Sequence, residues 1–84
     1  MEGVEKKRSE KGLLALERRL KDAESLGLNE KYAAIFSLAS QYARESRQYF
    51  ERGDFFSSFG CSDYAYGLLD ALLILEGKKE ALSE

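Results

Sequence analysis

The chain lacks histidine, proline and tryptophan, and it has a single cysteine, Cys61, among its 84 residues. Histidine is the usual general base, metal ligand and activator of nucleophiles near neutral pH, so its absence excludes the common forms of such sites. One cysteine excludes an intrachain disulfide and a cysteine-based zinc site, and it fits a reducing compartment. We therefore expect no enzyme: no catalytic residue, no metal site and no cofactor.

Long apolar runs are also missing. The basic N-terminal residues are not followed by an apolar stretch of signal-peptide length. The most apolar segment, YAYGLLDALLIL at residues 64–75, contains Asp70 and is shorter than the roughly 20 residues of a membrane span. We expect a cytoplasmic protein with no membrane partner.

The length and the charge of the chain predict one small domain over residues 1–84. The net charge is −2, with 44% apolar and 33% charged residues, which is typical of a soluble globular chain. The first residues alternate in charge, so we expect their fields to cancel and no nucleic acid to bind there. The alternating cations and anions are Lys6, Lys7, Arg8 and Lys11, and Glu2, Glu5 and Glu10.

Helical periodicity predicts three helices over approximately residues 5–26, 30–52 and 55–76. Gly27 and Gly53 mark the two breaks as left-handed helix ends, and Asn29 and Asp54 are predicted N-caps of the helices that follow. Because both connections are short, the fold class is expected to be all-α, a three-helix up-and-down bundle.

The third predicted helix is apolar on more than one side. Its two apolar stripes cannot both be buried against one bundle face. All ten aromatic residues lie between Tyr32 and Tyr66, so we expect the second and third helices to dominate the core. The surplus face predicts a protein partner or a homo-oligomer formed through this helix. The two stripes are Cys61, Ala65, Leu68, Leu72 and Leu75, and Phe55, Phe59, Tyr66, Leu69 and Leu73.

Gly60 and Gly67 are candidate close-packing residues on the third helix. An interior helical glycine costs about 0.8–1 kcal/mol relative to alanine, so two of them require a reason. With Tyr64 and Ala71 they form a strip of mostly small residues. The strip predicts the close approach of another helix, either the first helix of the same chain or the third helix of a second copy.

Asp63, Tyr66 and Asp70 form a candidate polar network, because the two acids are two helical turns apart with the tyrosine near the line between them. They could form a metal or acid/base pair, although no third carboxylate lies nearby. Our main interpretation is that the acids pair with Arg44 or Arg47 of the second helix or with tyrosine hydroxyls. A third alternative is that they face a partner.

A small-ligand or nucleotide site is the alternative to a pure interaction role. Amphipathic tyrosines often supply both the wall and the hydrogen bond of a pocket. Tyr42, Tyr49, Tyr66 and Asp70 would line such a pocket between the second and third helices.

Residues 30–75 resemble a small archaeal family known as domain of unknown function 357. The resemblance rests on the Gly-Asp turn at residues 53–54, the aromatic Phe55, and Cys61. It also rests on Tyr-Ala at residues 64–65 and GLLDA at residues 67–71, with Tyr-Ala at 42–43 and Tyr-Phe at 49–50 in the preceding helix. It implies a left-handed three-helix up-and-down bundle, an archaeal cytoplasmic source and no established activity.

A more distant resemblance is to helical domains associated with nucleotidyltransferases, which share a Gly-Asp-aromatic turn before a helix rich in Tyr-Ala and Leu-Leu. Their ribonuclease branch uses an arginine and a histidine, and this chain has no histidine. The resemblance therefore implies at most a helical adaptor beside a nucleotide-handling enzyme. The leading hypothesis from the sequence is a non-enzymatic protein-interaction or self-associating module.

Overall fold

The computed structural model describes residues 2–78, with side chains described from Gly3 onward. All secondary structure in this range is helical, so the predicted all-α class is confirmed. Residues 2–78 contain four helices where three were predicted: α1 (Glu2–Ser25), α2 (Leu28–Lys31), α3 (Ala33–Glu51) and α4 (Phe55–Leu75). The third predicted helix, residues 55–76, agrees with α4 to within one residue, because Glu76 is the C-cap of α4. The left-handed twist stays a prediction.

The second predicted helix is divided at Tyr32, whose φ of −124° and ψ of 54° interrupt the helical backbone. The single turn of α2 begins directly after Gly27, and it carries Leu28, which is 1% exposed, into the core. Asn29 therefore lies inside α2, and its predicted role as an N-cap is wrong. The turn begins at Leu28 because its apolar side chain must face the core. Asn29, one residue later, therefore falls inside the turn.

The two glycine turns are confirmed. Gly27 has φ of 75° and Gly53 has φ of 83°, in the left-handed region that glycine adopts without a steric penalty. Asp54 caps α4 as predicted, because its carboxylate accepts a hydrogen bond from the Ser57 backbone N–H at 3.1 Å. Hydrogen bonding by the side chain and the backbone N–H of Ser57 holds the pKa of Asp54 below its usual value.

Side-chain contacts along α4 show in which direction the neighbouring helices α1 and α3 run. Gly12 of α1 lies beside Phe59, and Arg19 lies beside Tyr66, so α1 and α4 run in the same direction. In α3 the order is reversed, because Ser46 contacts Ser58 and Tyr42 contacts Tyr64. α4 thus packs against both other long helices.

The core consists of small and aliphatic side chains, and the aromatic residues of the second and third predicted helices lie outside its fully buried part. Every aromatic residue is at least partly exposed. Four serines are also buried in the interior. Ser46 donates a hydrogen bond to the Ser58 carbonyl at 2.7 Å, and Ser62 donates one to the Phe59 carbonyl at 3.0 Å. Small side chains bring the helices close together, so the larger rings lie at the edges of the contacts. The buried apolar residues are Leu13, Leu16, Ala23, Leu28, Ala39, Ala65, Leu69, Leu72 and Leu73.

Gly12 is the glycine at which two helices approach each other. A Cβ at this position would lie 3.0 Å from Ser62 Oγ and 3.4 Å from Phe59 Cδ1. A Cβ at Gly60 would meet no atom within 4 Å. The close contact between α1 and α4 therefore depends on a glycine of α1, which the sequence pattern did not single out.

The two glycines should respond oppositely to alanine. Gly60→Ala should raise the free energy of unfolding by about 0.5–1 kcal/mol, because it improves helix propensity at no steric cost. Gly12→Ala should give no such gain, because Ser62 must move. Urea denaturation at low protein concentration measures both. Equal stabilisation by the two variants would show that the contact at Gly12 is not tight.

Candidate functional site

The outer face of α4 is the candidate site. We define it as the six exposed residues Phe56, Gly60, Tyr64, Gly67, Ala71 and Leu75. Their spacing of three and four residues places them on one side of the helix. The large members are well exposed: Phe56 by 85%, Tyr64 by 51% and Leu75 by 65%. None of these six residues is charged, and the exposed Asp63, three residues after Gly60 and four before Gly67, borders the face.

Small residues separate the large ones on the outer face of α4. A Cβ at Gly60 or Gly67 would meet nothing within 4 Å. The predicted approach of the first helix to this strip is therefore wrong, because α1 packs on a different side of α4, beside Phe59 and Ser62. The other predicted neighbour, a second copy of the chain, stays a prediction.

Arg19 of α1 joins two of the three predicted network residues. Its Nη2 donates a hydrogen bond to the Tyr66 hydroxyl at 2.6 Å, and its Nε lies 3.7 Å from the Asp70 carboxylate. The guanidinium carbon also lies 5.0 Å from the Tyr66 ring centroid. Asp63, by contrast, is exposed one turn nearer the start of α4. The structure thus brings Tyr66 and Asp70 together around an arginine that ties α1 to α4.

The predicted arginine partners of this network lie elsewhere. Arg47 of α3 forms an ion pair with Glu17 of α1, and Arg44 is exposed on α3. The prediction that Arg44 or Arg47 pairs with Asp70 is therefore wrong. Asp70 points toward α1 because α1, and not α3, packs beside that side of α4. The opposite charges of Arg19 and Asp70 were visible in the sequence, but their pairing depends on the register between the two helices.

The predicted tyrosine pocket is not formed. Tyr66 and Asp70 contact α1. Tyr42 of α3 instead packs edge-on against Tyr64, with ring centroids 4.8 Å apart, and Tyr49 lies 4.9 Å from the Arg52 guanidinium carbon. These residues therefore belong to separate contacts and do not line one cavity between α3 and α4.

A second polar cluster fastens the end of α4 to the α2 turn. Glu76 forms an ion pair with Lys31 at 2.7 Å and accepts a hydrogen bond from the Tyr32 hydroxyl at 2.6 Å. The bond from Lys31, with that from Tyr32, lowers the pKa of Glu76, and the bond to Glu76 raises the pKa of Tyr32. The cluster holds the two helix ends together, and it is not visible in the sequence pattern because Lys31 and Tyr32 lie 44 or more residues before Glu76.

Cys61 is a half-buried thiol on the α3 side of α4. Burial, with the nearby charges of Glu45 and Asp54, raises its pKa above the ordinary value for cysteine. A raised pKa leaves little thiolate at neutral pH, so this cysteine has the character of a packing residue. Between residues 2 and 78, no group of three or more metal-ligating side chains is assembled.

None of the helices that the structure describes has the length and apolar character of a membrane span.

Comparison with known proteins identifies the family. A family model described as a protein of unknown function, DUF357, matches residues 13–77. The chain belongs to this family, and the resemblance seen in the sequence is confirmed. Neither the curated proteins nor the solved structures give a significant match.

Proposed function

We propose that the protein is a non-enzymatic, cytoplasmic interaction module, a three-helix up-and-down bundle that pairs with a second copy through the outer face of α4. The observation that carries the proposal is the uncharged, exposed row from Phe56 to Leu75. Contiguous apolar surface of this kind marks interaction sites on soluble proteins. The missing histidine supports a role without catalysis.

A second copy fits because the face combines large and small residues in an order that is complementary to itself. In an antiparallel pairing that sets Tyr64 over Gly67 of the other copy, Gly60 meets Ala71 and Phe56 meets Leu75. Every large side chain then lies on a small or apolar one. A two-fold interface requires this self-complementarity, because each copy presents the same patch. The two glycines also let the helix backbones approach closely.

The expected affinity is modest. Full burial of a large apolar side chain is worth about 1.5–3 kcal/mol, and each copy contributes three such side chains that are already partly covered. Association costs roughly 4–15 kcal/mol in lost motion, so the surplus corresponds to a dissociation constant on the order of micromolar only at the favourable end of both ranges, and to a weaker one otherwise. Dimer and monomer should therefore both be observable within a practical concentration range.

Light scattering on a size-exclusion column tests the proposal. At concentrations above the dissociation constant the molar mass should be twice the 9.5 kDa of one chain, and it should fall toward 9.5 kDa on dilution. A mass fixed at one chain up to millimolar concentration would contradict self-association.

The arrangement of the tyrosines does not favour the alternative of a small-ligand or nucleotide site. It requires Tyr42, Tyr49, Tyr66 and Asp70 around one cavity, and these residues lie in separate contacts.

A further inference from the structure

A groove opens between the first half of α1 and the start of α4, away from the outer face of α4. Its volume is about 520 Å³. We call it the α1–α4 groove and define it by its lining residues, Val4, Lys7, Arg8, Lys11, Gly12 and Phe59.

The floor of the groove is apolar. Val4 is 54% exposed and Phe59 is 37% exposed, and both present hydrocarbon surface to solvent. Gly12 adds no side chain between them, since its Cα faces Ser62 and Phe59 directly. A ligand can therefore place apolar side chains against both helices at once.

The rim of the groove is uniformly cationic. At about 100° per residue, Val4, Lys7, Arg8 and Lys11 share an arc of roughly 100° of α1, and Glu5 and Glu10 lie outside it. The helix thus separates residues that alternate in charge along the sequence, and the expectation that their fields cancel at a distance stays a prediction. Lys7, Arg8 and Lys11 form no ion pair with another side chain within residues 3–78, so their charge is available to a ligand.

We propose that the α1–α4 groove binds an acidic amphipathic helix of another protein. Its apolar side chains would lie on Val4 and Phe59, and its carboxylates would pair with Lys7, Arg8 and Lys11. An amphipathic helix in a groove uses apolar anchors at helical spacing, and charges at the rim set its orientation and association rate.

A peptide fits this groove better than a nucleic acid. A phosphate backbone makes no use of an apolar floor, and the next part of the cleft, beyond Phe59, is lined by Asp63. Asp63 repels carboxylates as well as phosphates, so the acids of the bound helix must lie beside Lys7, Arg8 and Lys11, and its part beyond Phe59 must be neutral or basic. The outer face of α4 is bordered by a single acid, Asp63, so a second copy of this face does not supply the several carboxylates that three cations require.

Fluorescence anisotropy with a synthetic probe tests this proposal. The probe is a capped, labelled helical peptide of leucine, glutamate and alanine, with leucines at i, i+3, i+4 and i+7 and glutamates beside them. We expect the wild-type chain to bind it at low salt and the double variant Lys7→Glu, Lys11→Glu to bind it at least about tenfold more weakly. Val4→Ser should weaken binding with no change in charge.

The matched control is Lys6→Glu with Lys21→Glu, which makes the same change in net charge at two exposed lysines of α1 outside the groove. It should retain binding, and circular dichroism should show that all variants are helical. Equal weakening by both double variants would overturn the proposal in favour of general charge attraction. No binding by the wild type, or tighter binding of a single-stranded oligonucleotide than of the peptide, would also overturn it. Because no groove residue belongs to the outer face of α4, this result is independent of dimer formation.

Discussion

Gly67→Glu should abolish self-association and leave the single chain folded. Gly67 is exposed at the centre of the outer face of α4, and a side chain there meets no atom of its own chain within 4 Å. In the proposed dimer the new carboxylate would be buried against Tyr64 of the other copy with no cation nearby. An uncompensated buried charge costs several kcal/mol, which exceeds the expected affinity surplus.

Light scattering and thermal melting, measured together, give the result. The variant should have the mass of one chain at every concentration, with a melting temperature close to that of the dissociated wild type, because the better helix propensity of glutamate offsets its repulsion from Asp63 and Asp70. Gly3→Glu makes the same substitution at an exposed glycine of α1 and should leave the mass unchanged. Ala71→Glu, on the same face as Gly67, should repeat the effect. Dimers of normal affinity in both outer-face variants would exclude this face as the contact.

Leu69→Ala should destabilise the chain more than any change on its surface. Leu69 is 0% exposed on the side of α4 opposite to the outer face and belongs to the main core cluster. Removing a buried leucine side chain to its Cβ costs about 2–5 kcal/mol, from lost burial and from the cavity left behind. Natural domains have only about 5–15 kcal/mol of stability, so a large share should be lost.

Urea denaturation of the monomer measures this loss. Leu14→Ala is the matched control, because Leu14 is 52% exposed on α1 and the same atoms are removed. The control should change the free energy of unfolding by less than about 1 kcal/mol. Similar losses in the two variants would contradict the placement of Leu69 in the core and, with it, the orientation of α4.

Local signals in the sequence predicted most of the helix ends. The left-handed glycines at residues 27 and 53 and the Asp54 cap depend on neighbouring residues only, and all three are confirmed. Asn29 is an exception because the burial of Leu28, a tertiary contact, sets the start of α2. Propensity and capping rules cannot weigh such a contact before the core is known.

The faces of α4 could not be assigned from the sequence, because apolar residues surround this helix and periodicity selects no single side. Glycine spacing likewise identified Gly60 and Gly67 but not which helix packs beside them, whereas Gly12 makes the intrachain contact. The pairing of Arg19 with Tyr66 and Asp70 required the register between α1 and α4, which charge spacing within one helix does not contain.

Chemical cross-linking at position 64 tests the central claim most directly, because it reports which surfaces meet and not only how many chains associate. The chain would carry Tyr64→Cys and, to remove the native thiol, Cys61→Ala. A short bismaleimide linker should then join two copies into a covalent dimer. Ser37→Cys in the same Cys61→Ala background provides the control, because Ser37 is exposed on α3. Our account predicts efficient dimers at position 64 and few at position 37. Equal yields at the two positions would contradict the claim that two copies meet through α4.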